Sequence, residues 1–408
     1  MKILILIFLI YFPILSFPQN IQIKSLKAYG AGDETSLPII VQNGNSASQI
    51  TIEFDVKSNS IPNMNIVFRF CDKNWIPYSN IFFQNQGKNI AYNLQFIQLP
   101  STVLEANYHF EGSFPDSKGN VEFPFSGKWR YYLTDTQDTS TIYGKGKFYV
   151  VYQNVALADS LKNEQLEGKL YFPADLQKVF NITTLFNLPN DFTPSYVDHV
   201  EIVENHKIDY PYLIDKNSNT NTRQYYWDGN RNFKFIDRDI LPGNEYRETD
   251  LRNTNIFPGK NVNAHQEAIE YSRFFKEEPK DLNGGSILTN YNDDFATYLN
   301  VTFTIRPPAE EPGIFLVGAF NNWKILPEYE LTNNYGLYSI TLPLKRGIYD
   351  YQYVVANLNS GQIVNPDWQI LEGNNWETSN VYHIFLYYHD PNYGGYDRII
   401  GYKKIISE

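Results

Sequence analysis

The chain has 408 residues and a net charge of −11, with 16% aromatic and only 19% charged residues. This much aromatic surface can form packed cores, which excludes wholesale disorder. The 24 glycines and 22 prolines show no period, which excludes a collagen-like chain. The acidic balance repels phosphate backbones and no Lys/Arg-rich run occurs, so nucleic acid is not an expected partner. The length suits two or three domains of about 100 to 150 residues each.

The first residues have the pattern of a secretory signal peptide. A basic start precedes an apolar run over residues 3–15, and polar residues follow from Gln19. The run contains Pro13 and is too short to cross about 30 Å of hydrocarbon, so a retained membrane anchor is the weaker interpretation. We expect residues 1–18 to be removed on export. The single cysteine, Cys71, has no partner for an internal disulfide.

Strand patterns follow along the chain. Apolar residues recur with a period of two, as in half-buried strands, over residues 50–56, 299–305, 338–344 and 349–355. Tight turns at Asp228-Gly229 and Asn359-Ser360-Gly361 predict two hairpins. The composition of residues 265–278 suits a helix and a strand about equally.

These patterns predict an all-β protein made of tandem immunoglobulin-like β-sandwich modules. Composition changes near residues 155 and 295 predict the boundaries between them. The expected division is an N-terminal β-sandwich at 19–155, a middle β-rich domain at 156–295 and a C-terminal domain at 296–408.

The sequence lacks the motifs of phosphate-binding loops, nucleophile elbows and the commonest zinc sites. Asp281-x-Asn283-Gly284 is similar to the start of a calcium loop, but Asn292 stands where a bidentate Glu should fall, which favours a plain turn. Acidic pairs lie in predicted loops, where a solvated turn is favoured over a glycoside-hydrolysing pair. We therefore expect no catalytic site, no metal, no cofactor and no small-molecule substrate.

Several short motifs are more specific than these patterns. In chain order they are Cys71-Asp72-x-x-Trp75, Gly243-Asn244-Glu245-Tyr246-Arg247, Asp281-Leu282-Asn283-Gly284, Gly318-x-Phe320-Asn321-x-Trp323, Glu372-Gly373, Glu377-Thr378 and Tyr396-Asp397-Arg398. In the first, Asp72 can cap a turn and Trp75 can cover the end of a sandwich. Motifs of this kind in this order resemble the plug protein family of the Bacteroidota type IX secretion system, over nearly the whole mature chain.

The resemblance implies a periplasmic protein that closes the periplasmic opening of a very large outer-membrane translocon barrel. Association with the membrane is then only through this partner, and the protein is not an enzyme. The resemblance also implies an early-set immunoglobulin-like fold for residues 296–408 and favours a strand at 265–278. We expect the motif residues to be structural, with no catalytic or cofactor-binding role.

A glycan-binding protein of the cell envelope is the alternative. The Gly318-x-Phe320-Asn321-x-Trp323 turn also resembles that of glycogen-binding early-set domains. Trp323, Trp368 and Trp376 could stack on sugar rings, with Asn321 or Asn322 bonding to hydroxyls. A Trp after such a turn is at least as often a lid on the core of the sandwich.

Overall fold

A computed structural model describes residues 20–43, 46–166, 177–273, 280–288 and 296–407. In these ranges the regular structure is β-strand with short 3-10 turns and no α-helix, so the all-β prediction is confirmed. No helix in the same ranges is long and apolar enough to cross a membrane. The predicted signal peptide, residues 1–18, lies outside the described residues.

The first β-sandwich pairs a four-stranded sheet, β1-β4-β8-β7, with a six-stranded sheet, β3-β2-β10-β9-β5-β6. Its strands are β1 (Gln22–Gly30), β2 (Ile39–Asn43), β3 (Ser46–Ala47), β4 (Ile50–Lys57), β5 (Met64–Cys71), β6 (Ile90–Ala91), β7 (Ile97–Gln98), β8 (Tyr108–Phe114), β9 (Gly127–Asp135) and β10 (Ile142–Tyr152). Phe54, Phe68 and Trp129 lie in the apolar core between the sheets. The alternation predicted at residues 50–56 thus belongs to a core strand.

The second β-sandwich is built from two distant parts of the chain. Its strands are β11 (Ala158–Gln165), β12 (Lys178–Asn187), β13 (Val197–Glu204), β14 (Tyr212–Asp215), β15 (Arg223–Trp227), β16 (Asn232–Ile240), and the last two of the chain, β27 (Val381–Asp390) and β28 (Tyr396–Ile406). The sheets have the orders β11-β12-β16-β15 and β14-β13-β27-β28. Ile202 of β13 and Ile384 of β27 are paired and contribute to one buried core.

The third β-sandwich is formed by the chain between β16 and β27. Its strands are β17 (Arg247–Asp250), β18 (Asn261–Asn263), β19 (Glu270–Tyr271), β20 (Ser286–Leu288), β21 (Tyr298–Arg306), β22 (Ile314–Gly318), β23 (Thr332–Asn334), β24 (Leu337–Lys345), β25 (Gly347–Asn359) and β26 (Gln362–Asp367). One sheet is centred on β25, with β17, β20, β22 and β26, and the other has the order β18-β21-β24-β23 with β19 beside β21.

The third sandwich is therefore inserted into the second, which corrects the predicted division at residue 295. Strands β17 to β20 precede that residue but pair with β21 and β25 of the third sandwich. Strand β27 follows it but pairs with β13 of the second. The reason is physical: the alternate side chains of β27 pack into the second core, so its register is fixed there.

Both predicted hairpins are confirmed. Trp227 pairs with Phe233 across the Asp228-Gly229 turn, and Asn359 pairs with Gln362 across Ser360-Gly361. Within the predicted segment 265–278, a turn leads into the short strand β19 (Glu270–Tyr271), and residues 272–273 have no regular structure. Residues 274–278 lie outside the described residues.

Candidate functional site

The Cys71-Asp72-x-x-Trp75 motif forms a tight corner after β5. Asp72 Oδ1 accepts hydrogen bonds from the backbone N of Asn74, at 2.9 Å, and of Ile76, at 2.8 Å. Trp75 takes a positive φ of 65° and is buried, and Cys71 is buried at the end of the strand. The carboxylate therefore caps the turn, as the sequence indicated.

The last motif of the chain closes over the same corner. Asp397 Oδ2 accepts from the backbone N of Lys73 at 2.8 Å, and the backbone N of Asp397 donates to the hydroxyl of Tyr78 at 2.9 Å. Arg398 bonds to Asp390 at 3.3 Å. Residues more than 300 positions apart thus join the first sandwich to the second.

A buried ion pair lies beside this corner. Lys128 Nζ of β9 is 2.6 Å from Glu201 Oε2 of β13, and both side chains are almost fully buried. Glu201 also accepts from the hydroxyl of Tyr149 at 2.9 Å. The Tyr149 ring stacks on Phe385 of β27 at 4.3 Å, and Trp75 packs against it at 5.1 Å. Apolar contacts and a compensated charge pair thus hold the first two sandwiches together.

The Gly243-Asn244-Glu245 motif lies on the connection that leaves the second sandwich for the third, and it hydrogen-bonds to the connection that returns. We call these hydrogen bonds the clasp. The backbone N of Gly243, on the outgoing connection, donates to Asn374 Oδ1 on the returning one at 2.9 Å. The backbone N of Ser379 donates to Glu245 Oε1 at 2.9 Å. Asn244 lies between them and is buried. The motif is therefore where the inserted sandwich is fastened.

Arg247 and Glu372 form the centre of a buried ionic network. Arg247 Nε is 3.0 Å from both carboxylate oxygens of Glu372, and Nη1 is 2.9 Å from Glu270 Oε1. Arg273 Nε adds a bond to Glu372 at 2.9 Å, and the hydroxyl of Tyr353 donates to Glu270 at 2.6 Å. Burial alone would raise the pKa of Glu372, but the two guanidinium groups lower it below its usual value.

The Asp281 and Gly318 motifs meet through one tryptophan. Trp323 Nε1 donates to the carbonyl of Gly284 at 2.8 Å, and its ring lies 4.2 Å from that of Tyr246. Gly284 has a φ of +86° and a Cβ there would lie 3.1 Å from the indole, so both its conformation and its contact favour glycine. Trp323 is 1% exposed.

Asp350 is buried under this loop and Asp281 is half-buried beside it, and neither forms an ion pair with a described residue. Asp350 Oδ2 accepts from the backbone N of Leu282 at 2.9 Å and of Gly284 at 2.8 Å, whereas its Oδ1 has no partner among the described residues. Asp281 Oδ1 accepts from Asn283 N at 2.5 Å. Burial, and then the neighbouring negative charge, raise the pKa of both carboxyl groups.

The Gly318-x-Phe320-Asn321 turn has a structural explanation. Asn321 Oδ1 accepts from the backbone N of Gly318 at 3.0 Å, and its Nδ2 donates to the carbonyl of Leu316 at 3.2 Å. Phe320 packs against Phe303 of β21, with ring centroids 5.7 Å apart. All the polar atoms of the Asn321 amide are therefore used within the protein.

The three tryptophans considered for sugar stacking do not form a common platform. Trp323 is buried, while Lys207 lies over the ring of Trp368 at 4.9 Å and Lys178 over that of Trp376 at 3.9 Å. Each ring thus already has a partner on a face that a sugar would use.

Sequence reasoning missed the polar contacts between the first and third sandwiches. Asp55 of β4 is 2.7 Å from His109 Nδ1 and 3.1 Å from Lys345 Nζ of β24, and it accepts from the hydroxyl of Tyr298 at 2.8 Å. The alternation in β4 indicated that Asp55 faces solvent. No signal in the sequence identifies its two partners in the third sandwich, Tyr298 and Lys345, because they lie more than 240 residues away.

An exposed apolar ledge lies beside the Asp72 corner. We define it by Ile81, Phe82 and Tyr393, which are 61%, 63% and 53% exposed. The rings of Phe82 and Tyr393 lie 5.6 Å apart, and Asn80 Nδ2 donates to the Tyr393 carbonyl at 2.9 Å. Residues 74–87 contain no charged side chain. The first and second sandwiches therefore share one uncharged apolar surface.

Within the described ranges, no group of three His, Cys, Asp or Glu side chains is arranged to hold a metal ion. Neither the protein-family models nor the curated proteins give a match to the chain. Among solved structures, a hypothetical protein from Parabacteroides merdae is similar, with a TM-score of 0.75 and 22% identity over 94% of this chain and 97% of that chain. At this identity the likeness concerns the fold, which is shared over nearly the full length of both.

Proposed function

We propose that this protein is a non-enzymatic periplasmic plug that binds and closes the periplasmic opening of the outer-membrane translocon barrel of the type IX secretion system. It is exported by its N-terminal signal peptide and associates with the outer membrane through that partner alone. The proposal includes an immunoglobulin-like character for the sandwiches, with the early-set motif in the inserted one.

One observation carries the proposal: the motif residues that resemble the plug family are used to join the sandwiches. The Asp72 corner bonds to Asp397 of the second sandwich, and Glu245 bonds to the chain that returns from the third sandwich to the second. Trp323 holds the Gly284 loop within the third sandwich, which fixes the shape of that body. A plug acts by bulk and a fitted surface, so a body with fixed internal junctions suits that function. Residues that catalyse would instead need open access to a substrate.

The apolar ledge is the surface that we propose for docking. Aromatic side chains bury much area at a low cost in conformational entropy, and interfaces are enriched in them. Residues 74–87 carry no charged side chain, so this part of an acidic chain can pack against the translocon barrel without desolvating an unpaired charge.

A deletion experiment tests the function. Removing the gene should leave the translocon open, so large antibiotics that the outer membrane normally excludes should enter, while secretion itself falls little. Capture of the protein from native membranes should recover the translocon barrel protein by mass spectrometry. Unchanged permeability together with no recovered barrel protein would contradict the proposal.

A paired substitution tests the ledge. Ile81→Asp with Phe82→Asp should abolish co-purification with the barrel protein and reproduce the permeability of the deletion strain. Tyr335→Asp is the matched control, because Tyr335 is fully exposed on a hairpin of the third sandwich. A single carboxylate change such as Asp281→Asn that gave the full deletion phenotype in a folded, barrel-bound protein would instead indicate an enzyme.

A further inference from the structure

A half-open cavity of about 70 Å³ lies where all three sandwiches meet. We call it the junction cavity. Its lining includes Tyr131 and Lys145 of the first sandwich, Asp209 of the second, and Gly284 and Lys324 of the third. A buried water needs roughly 10–15 Å³ in this measure, so the volume holds about five water-sized groups. A tetrahedral oxyanion, with five heavy atoms, is of this size.

The charges around the junction cavity favour an anion. Four lysines line it against two carboxylates, those of Glu34 and Asp209, in a protein whose net charge is −11. Glu34 is 2.9 Å from Lys27, and Asp209 pairs with Lys147 and lies 3.5 Å from Lys324. Both carboxylates are thus already compensated, which leaves an excess of positive charge.

Lys145 supplies that excess. It is exposed on β10 at the cavity and forms no ion pair among the described residues. His206, which also lines the cavity, adds no charge at pH 7, because burial lowers its pKa to about 4. The cavity therefore has more ammonium groups than carboxylates to pair with them, and some of its positive charge is available to a bound anion.

An independent feature points to a ligand. Tyr131 is 2% exposed, and its hydroxyl has no hydrogen-bond partner among the described residues although it lines the cavity. Residue 146 is glycine, and a Cβ there would lie 2.2 Å from this hydroxyl. The hydroxyl is not one of the buried side-chain atoms that are sealed from solvent without a partner, so it is open to a group inside the cavity.

We propose that the junction cavity binds one compact oxyanion of the size of phosphate, through the ammonium groups of Lys145 and Lys324 and the hydroxyl of Tyr131. Because its lining comes from all three sandwiches, a bound anion stabilises their relative positions. Binding to the folded state alone raises the apparent stability in proportion to the logarithm of ligand concentration above the Kd. This inference is independent of the proposed plug function.

Calorimetric titration of the full chain with inorganic phosphate at constant ionic strength tests the proposal. Parallel titrations use acetate, a carboxylate, and chloride, a monatomic anion. Phosphate should bind with saturation and raise Tm, and chloride should do neither. Lys145→Gln with Lys324→Gln should weaken phosphate binding by about tenfold or more, because both lost contacts are charge-assisted. Saturable acetate binding with no phosphate binding would overturn the assignment of size and shape.

Two further variants keep the result specific. Lys118→Gln with Lys216→Gln makes the same change in net charge at exposed sites that do not line the cavity, and it should leave phosphate binding unchanged. Tyr131→Phe should preserve Tm without phosphate, since it removes an unpartnered hydroxyl, while weakening phosphate binding several-fold. Equal responses of the two lysine pairs, or no saturable binding of any anion, would overturn the proposal.

Discussion

Buried carboxylates in this protein occur in two opposite electrostatic settings. Glu372 is held by Arg247 and Arg273, which lower its pKa despite complete burial. Asp281 and Asp350 have backbone N–H donors but no cation partner in the part of the chain that the structure describes, and burial raises the pKa of both. The first group is most stable when ionised. The second is most stable when it shares a proton, which Asp350 Oδ1 is free to carry.

The second setting predicts a pH dependence of stability. The pKa of Asp350 is raised in the folded state above the unfolded value of about 3.9. The folded state therefore binds more protons, so this contribution is complete below about pH 4 and is lost as pH rises through neutrality into the alkaline range. Asp350→Asn should flatten the fall in urea midpoint between about pH 6 and 9. Asp138→Asn, at an exposed turn, should leave that slope as it is.

Trp323 provides a second prediction at this scale. Trp323→Ala should lower the free energy of unfolding by about 3–5 kcal/mol, as large aromatic truncations in cores do. It removes a ring contact with Tyr246 and a bond to Gly284. Urea denaturation measures the loss, and a glycan array measured beside it should stay blank for both proteins. A stable variant that had lost glycan binding would favour the glycan alternative instead.

At the scale of elements, sheet faces that are usually solvated are buried against neighbouring sandwiches. In β4, Ile52 and Phe54 point into the first core, and Glu53 and Asp55 on the opposite face are buried as well. The charged groups on such faces are compensated across the junction, as in the pairs that Asp55 forms with Lys345 and that Lys128 forms with Glu201.

The Lys128–Glu201 pair allows a quantitative test. Lys128→Met should cost about 3–5 kcal/mol, because it leaves a buried carboxylate without its cation. Adding Glu201→Gln should recover part of that loss, since the charge itself is then gone. Lys57→Met, at the exposed pair of Lys57 with Glu105, should cost less than about 1 kcal/mol. Urea unfolding of the single and double variants gives the coupling energy, and equal costs for both lysines would contradict this account.

This burial explains how far the sequence predicts the elements. The alternation at residues 50–56 and 349–355 and the turns at 228–229 and 360–361 specify strands and hairpins, because they depend on neighbours in the chain. The alternation does not show whether the polar face of a strand is covered by another sandwich or by solvent. It therefore identifies Ile52 as core but leaves Asp55 as a solvent residue, although Asp55 is buried at a junction. The motif residues were predicted to be structural, but their pairing across the chain has no local signal.

At the scale of the whole molecule, the second sandwich is formed by two separate segments of the sequence, with the third sandwich inserted between them. Composition changes mark contiguous segments, so they do not detect that β27 returns to pair with β13. The apolar residues of β27 fit either core by pattern alone. Only the register with β13, together with the clasp around Gly243, assigns them to the second sandwich.

The nested arrangement predicts which fragment folds. A fragment of residues 241–380 contains every strand of the third sandwich, the clasp segment of Glu245 and the Gly284 loop under Trp323. A fragment of residues 296–408 lacks β17 to β20 and carries β27 and β28 without β13. It also loses Arg247 and Arg273, so Glu372 would be left without the cations that compensate its charge.

We therefore expect the 241–380 fragment to show dispersed amide resonances and a cooperative thermal transition, and the 296–408 fragment to show neither. The second has unpaired apolar strands, which should make it aggregate at micromolar concentration. Lys345→Gln in both fragments controls for the ammonium group exposed when Asp55 of the first sandwich is absent. A cooperatively folded 296–408 fragment and an unfolded 241–380 fragment would contradict this expectation. The third core would then depend on the C-terminal strands and not on the strands before residue 296.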